Sequence, residues 1–384
     1  RKEAALARGF DSYSSYRQYY LELPEDEAAA TFEIEIVVTT NSHPGFEGYL
    51  SLINPLQVDG YVDTRTLTYR YPIDRPLHFK QRGFTMDPEV RQEGDMEEVR
   101  YELRYLRPMW FERWSAHPWS NYPVVLASSL ATWSDFHARA HTVYEGRSVA
   151  DDAIRAEVAL LTGDLETSRA RAEAIYRFVT ADLHYLGLYE GQSGRVPHPA
   201  TLVFERRYGD CKDHTVLLVT MLREAGIPAW STLLHAGRPA FLDPDLPIQL
   251  TNHAIVYAEI DGEGVFLDGV SNPYQFAMPS DSIRHRQAVV LRDDDVELLD
   301  TPKGSADLRS AREVVTLVLA ADGSLTADVE LRYSGFLAAR LLDRRDKETA
   351  AEVAREDAEF VRRSYTLPED LEVTYLEGES TVPG

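Results

Sequence analysis

Only one cysteine, Cys211, occurs in 384 residues, and that scarcity already narrows the possibilities. No intrachain disulfide can form, so cysteine usage does not reveal the redox compartment. A thiolate cluster is excluded too, and the eleven histidines contain no HExxH motif, so neither a metal nor a cofactor is expected. A phosphate-cradling glycine loop and a dinucleotide fingerprint are both lacking. No apolar run approaches the roughly 18 residues that a membrane helix needs, so the chain reads as soluble, with no membrane segment. Basic residues are in the minority, 40 Lys and Arg against 63 Asp and Glu, for a net charge of −23 spread along the chain. A nucleic-acid partner is therefore not expected, because phosphate binding needs a basic footprint that releases counterions. Internal repeats are absent as well. The sequence opens at Arg1 without a methionine, which leaves room for a removed targeting segment and keeps localisation open.

What is present supports large cores: 44% of residues are apolar, and the length implies two or three domains. Residues 1–145 begin with a short helical pattern, SYSSYRQYY, and then turn strongly β. TFEIEIVVTT, TRTLTYRYP and EEVRYELRYL alternate apolar and polar side chains as half-buried antiparallel strands do, which predicts a sandwich-like sheet domain. The tryptophans of PMWFERWSAHPW, Trp110, Trp114 and Trp119, fit aromatic core packing or a docking surface. Residues 146–305 carry a helical pattern in ETSRARAEAIYRFVTADLHY, then a loop with glycines and prolines. A buried helix follows in TVLLVTMLREAG, with Gly226 and Pro228 at its stop, and two strands, AIVYAEI and GVFLDGV, are joined across DGEG. Residues 306–384 hold a hairpin signal around Asp322-Gly323, a charged helical stretch and a last strand, LEVTYLE, as part of a further β-rich domain. The expected class is a multidomain α+β protein with a helix packed on a sheet at its centre.

Cys211 stands in YGDCKDH, where the neighbours are polar and the apolar run begins only at Val216. Gly209 permits a sharp turn, Asp210 can cap a helix, and Cys211 then falls in a first turn where the helix dipole and Lys212 favour an anion. A thiol nucleophile further needs an imidazole and a group that fixes its tautomer. Two histidines compete. His214 lies one turn along the same helix, whereas His253 opens a predicted strand whose hairpin partner ends at Asp268, so the outer ends of that hairpin bring imidazole and carboxylate together. Taken singly, each residue also has an ordinary structural role, as a buried cysteine, a strand-end histidine or a turn aspartate.

YGDCKDHTVLLVTMLREAGIPA, followed by NHAIVYAEIDGEGVFLD, resembles the core of the transglutaminase-like superfamily. The closest likeness is to its bacterial branch, in which an N-terminal β-rich domain of unknown function precedes that core. The resemblance covers roughly residues 165–275. It implies a papain-like fold with Cys211 as nucleophile, His253 as base and acid, and Asp268 as orienter, acting on amide bonds of a protein or peptide substrate through a thioester. It also points to an extracytoplasmic location. Animal members take an oxyanion donor from a tryptophan upstream of the cysteine, but no tryptophan lies here between Trp133 and Cys211. Tyr185 and Gln192 are the side-chain alternatives, with the Cys211 amide as a backbone donor. Gly187, Gly191 and Gly194 give the loop 186–198 the freedom of a lid over a cleft beside the N-terminal sheet. A β-rich scaffold that retains an inactive core is the contrasting reading.

Overall fold

In the computed structural model the described residues are 2–5, 17–20, 37, 45–56, 60–108, 115–116, 120, 122–187, 194–238, 240–248, 251–304 and 309–365. Trp110, Trp114 and Trp119, most of the expected strand at 31–40, and the expected strand at 371–377 lie outside them.

Two three-stranded antiparallel sheets form the N-terminal region. One runs in the order Ser51–Pro55, Val124–Ser128, His78–Arg82, and the other Val62–Pro72, Met96–Leu106, Glu89–Glu93. Tyr69, Tyr71, Val99, Tyr101 and Leu103 of the second sheet meet Val125 and Ala127 of the first in one apolar cluster, as in a sandwich. Val124–Ser128 is buried at every position because its other face, Val124 and Leu126, joins the main core. A strand covered on both sides reads as an unbroken apolar run, VVLAS, with no alternation.

The helical reading of SYSSYRQYY fails at its end: Arg17–Tyr20 is a strand, paired antiparallel with Lys2–Ala5. Nine residues are too few to hold a helix alone, and the backbone of Arg17–Tyr20 finds a pairing partner in Lys2–Ala5 instead.

The central layer is a five-stranded antiparallel sheet in the order Glu263–Leu267, His253–Ile260, Ala229–Leu234, Gln287–Leu291, Val296–Asp300. Asp261 and Gly262 join its first two strands, both with positive φ (52° and 83°), the turn whose twist matches a tight hairpin. Against this sheet packs the helix Cys211–Glu224, buried continuously from Cys211 to Leu222. Helices Trp133–Glu145, Asp152–Thr162, Ser168–Asp182 and Ala200–Arg206 surround it, and all contribute to the same core. Gly226, at φ +76°, ends the central helix, and Arg223 then bonds the Ala229 carbonyl through Nε (2.7 Å) and clasps Glu145 through both terminal guanidinium nitrogens (2.6 and 3.0 Å).

Beyond the sheet come the hairpin Ala311–Leu319 and Leu325–Tyr333, turning at Gly323 as its Asp-Gly signal predicts, and two helices, Gly335–Lys347 and Ala350–Tyr365. The charged stretch expected as a single helix is thus divided, with Thr349 bonding Glu352 at the second start. No helix among the described residues is long and apolar enough to cross a membrane.

The central helix depends on filling its whole circumference. Leu218 is wholly buried, so Leu218→Ala leaves a cavity and is expected to lower unfolding free energy by about 2–5 kcal/mol in denaturant titrations.

Candidate active site

The site begins with a helix start that cannot be hydrated. Asp210 is the N-cap, in extended conformation (φ −94°, ψ −170°), and its carboxylate accepts from the amides of Lys212 (3.0 Å) and Asp213 (3.4 Å). Asp213 reciprocates by accepting from the Asp210 amide (3.2 Å), which completes a capping box. Both carboxylates are buried. Burial raises the Asp210 pKa on balance, and the Lys212 ammonium, in direct contact with Asp210, opposes that rise in part. The box leaves the Cys211 amide out of its bonds and sets the thiol in the first helical turn, where the dipole favours an anion.

Gly209 is a packing necessity. A Cβ there would lie 2.5 Å from Asp213 Cβ and 2.7 Å from its Oδ2, space that the capping box occupies. Asp213 holds the incoming chain as well, because its Oδ1 accepts from the His198 amide (2.7 Å) and the His198 ring lies 3.1 Å from Oδ2. Ahead of the cysteine, the short strand Tyr208–Gly209 runs parallel to His184–Tyr185, with Gly209 opposite Tyr185 and the Leu186 amide bonded to the Gly209 carbonyl (2.8 Å). Both ends of the expected lid are thereby tied beside Cys211. Residues 188–193, which include Gly191 and Gln192, lie outside the described residues.

His253 opens its strand, and Asp268 directly follows the neighbouring one, in which Leu267 pairs with Val256. That register carries the two side chains to the same end of the hairpin, where His253 Nε2 donates to Asp268 Oδ1 at 3.1 Å. Asp268 also accepts from the Val270 amide (3.3 Å). With Nε2 engaged by Asp268, Nδ1 is the ring nitrogen left to face the sulfur, and the Cys211 side chain acts on the charge of the ring. Burial by itself would discharge this imidazole, but Asp268, with Cys211 adding to it, raises its pKa to about 10. Cys211 is 5% exposed and Asp268 7%.

The competing histidine points elsewhere. His214 is 2% exposed, and its Nδ1 lies 2.8 Å from the Gly269 carbonyl oxygen, away from the thiol. The i, i+3 spacing suited either role, and only the packing of helix on turn separates them. His198 and Gly269 escaped the sequence reading, although the Asp-x-x-Asp pattern of a capping box was visible at 210–213. Among the described residues no three His, Cys, Asp or Glu side chains are grouped to hold a metal ion.

Two outcomes follow from this geometry. Gly209→Ala forces the capping box apart and is expected to lower the melting temperature by several degrees, as loss of about 1–2 kcal/mol of capping does. The His253 pKa in the fold exceeds its ordinary 6.5, so the bound proton stabilises the fold fully below that value and the contribution is lost as pH rises through about 10. The stability advantage of the wild type over His253→Gln, measured by denaturant unfolding, is therefore expected to shrink between about pH 7 and about pH 10.

The sequence matches the transglutaminase-like superfamily over residues 155–233, a span that contains Cys211 and stops short of His253 and Asp268. Residues 2–109 match a domain of unknown function, DUF3857. No curated protein sequence matches the chain. Among solved structures, a candidate protease from Parabacteroides distasonis is similar, with a TM-score of 0.53 and 17% identity over 69% of this chain and 49% of that one. The chain therefore spans about half the length of that protein, and the likeness is one of fold. A candidate cysteine protease from Cytophaga hutchinsonii (TM-score 0.29, 13% identity, 74% of this chain and 85% of that one) lies further off. So does the periplasmic domain of TgpA from Pseudomonas aeruginosa (TM-score 0.24, 16% identity, 58% and 74%). The chain thus combines a domain of the transglutaminase-like superfamily with a preceding DUF3857 domain in a multidomain α+β architecture.

Proposed function

We propose that the protein is a thiol-dependent acyl-transfer enzyme that cleaves amide bonds of a protein or peptide substrate. One observation carries the reading: Cys211, at a capped helix start, contacts an imidazole that is itself bonded to Asp268 at 3.1 Å. The Cys211 sulfur attacks the carbonyl carbon, and the carbonyl electron pair moves to oxygen. The Cys211 amide receives that oxyanion, with Tyr185 and Gln192 as the candidate side-chain donors. Collapse of the intermediate breaks the C–N bond, the proton on His253 passes to the departing amine, and a thioester remains. His253 then takes a proton from water as the water oxygen attacks the thioester; collapse of that second intermediate breaks the C–S bond, releasing a carboxylic acid and leaving the sulfur as an anion paired with the His253 imidazolium. An incoming amine in place of water would give cross-linking by the same steps. The description of the Parabacteroides chain as a candidate protease favours water. Residence outside the cytoplasm belongs to the same proposal, and fractionation of cells expressing the native gene tests it; a purely cytosolic protein refutes it.

A catalytically silent scaffold is the second reading, favoured by the 5% exposure of Cys211. Incubation with a peptide library and an amine probe, read by mass spectrometry, separates the possibilities: cleavage, amine incorporation or no reaction. On any substrate so found, Cys211→Ala and His253→Ala are expected to abolish turnover, and Asp268→Asn to lower kcat by about 10²–10⁴-fold, all with unchanged circular dichroism. A fully active His253→Ala protein would end the proposal.

A further inference from the structure

His214 shares the helix of Cys211 but serves the opposite side of the site. A carbonyl oxygen only accepts, so the 2.8 Å contact with Gly269 fixes the ring proton on Nδ1. Burial lowers the pKa of this imidazole, against the opposing pull of the Gly269 and His184 backbones and of the Asp213 and Asp210 charges, so the ring is a neutral donor. Its Nε2 is buried and makes no hydrogen bond among the described residues. Burying an imidazole with one nitrogen idle is costly, and a leucine would fill the space without that cost. The well-formed 2.8 Å bond to Gly269, beside the weaker approach of the His184 backbone, is therefore its distinguishing feature. Its acceptor belongs to the residue immediately after Asp268.

The turn at Asp268 behaves as one compact unit. The Asp268 carboxylate accepts from the Val270 amide (3.3 Å), the Asp268 carbonyl accepts from the Ser271 amide (3.1 Å), and Tyr176 bonds the Asn272 carbonyl (3.3 Å). A displacement of the Gly269 carbonyl would carry the carboxylate with it. Gly269 also allows the close approach, since a Cβ there would lie 3.3 Å from His214 Cβ. The groups around the ring are Asp210 and Asp213 from its own helix, the backbone of His184, and the Tyr185 ring at 6.3 Å.

We infer that His214 is a positioning residue for the triad: by donating from Nδ1 to the Gly269 carbonyl it holds the turn bearing Asp268 against the helix bearing Cys211, and so sets the His253 ring between them. The inference rests on the acyl-transfer reading above. A purely structural His214 would affect stability and leave the chemistry of the thiol untouched.

The test is the rate of Cys211 alkylation by iodoacetamide in the full chain at about pH 6.5 and about pH 10, alongside a thermal melt. Two substitutions at His214 separate the donor from the volume it fills. His214→Asn keeps an amide nitrogen that can donate much as Nδ1 does, while His214→Leu fills the space without a donor. Relative to the wild type, His214→Leu and Gly269→Ala are expected to slow alkylation about tenfold at the lower pH, and His214→Asn by no more than about twofold. All should converge near pH 10, where His253 gives up its proton. A folded His214→Leu or Gly269→Ala protein with the wild-type rate at the lower pH overturns the inference, as does a His214→Asn protein slowed as much as His214→Leu. If His214→Leu does not fold, the Gly269→Ala and His214→Asn pair decides. His253→Ala is the separate control: if it leaves alkylation at the lower pH unchanged, the triad reading fails and takes this inference with it.

Discussion

A helix buried on every side must settle its own first amides, and at Cys211–Glu224 the Asp210–Asp213 capping box performs that task. The rest of the site is arranged around this box. Asp213 occupies the space that requires glycine at 209, and its second oxygen takes the His198 amide, which fastens the chain arriving from the loop. Asp210 takes the amides of Lys212 and Asp213 and leaves that of Cys211 outside the box, at the one point where a developing oxyanion could use it. Two buried carboxylates in a protein of charge −23 would be costly without such bonding. Here the cap amides and Lys212 lessen that cost, so the position of the thiol and the stability of the helix share one cause.

The imidazole depends on the same balance of buried charge. His253 lies where burial would strip its proton, yet the hairpin register sets it beside Asp268 and the sheet sets it against Cys211. Cys211 meets the two ends of the 253–268 hairpin because one helix packs on the face of one sheet, over the strands His253–Ile260 and Ala229–Leu234. The Asp261-Gly262 turn fixes the register, and a slip of a single residue would turn His253 to the other face of the sheet.

Much of this was legible in the sequence. The hairpin 253–267 announced itself by two strand-like runs joined across DGEG, the central helix by its apolar run and Gly226 stop, and the cap by Gly-Asp ahead of Cys211. The part that was not legible depends on tertiary packing. The spacing of His214 from Cys211 is the same whether the ring serves the thiol or a distant carbonyl, and Gly269 looks like any turn glycine until the helix is packed against it. Val124–Ser128 carries no alternation because both its faces are buried, and Arg17–Tyr20 shows how a short tyrosine-rich segment follows its pairing partner over a weak helical pattern. For the tryptophan stretch, Trp110, Trp114 and Trp119 fall outside the described residues, so their expected packing remains an expectation.

The central claim is that His253 is an imidazolium held between the Cys211 sulfur and the Asp268 carboxylate. Nitrogen-15 shifts of the His253 ring, followed by NMR across pH, report its charge directly and without a substrate. The ring is predicted to stay protonated through neutral pH and to titrate near 10, and to titrate lower in Asp268→Asn. A His253 ring that titrates at its ordinary value of 6.5 in the wild type, with no response to Asp268→Asn, would contradict the claim.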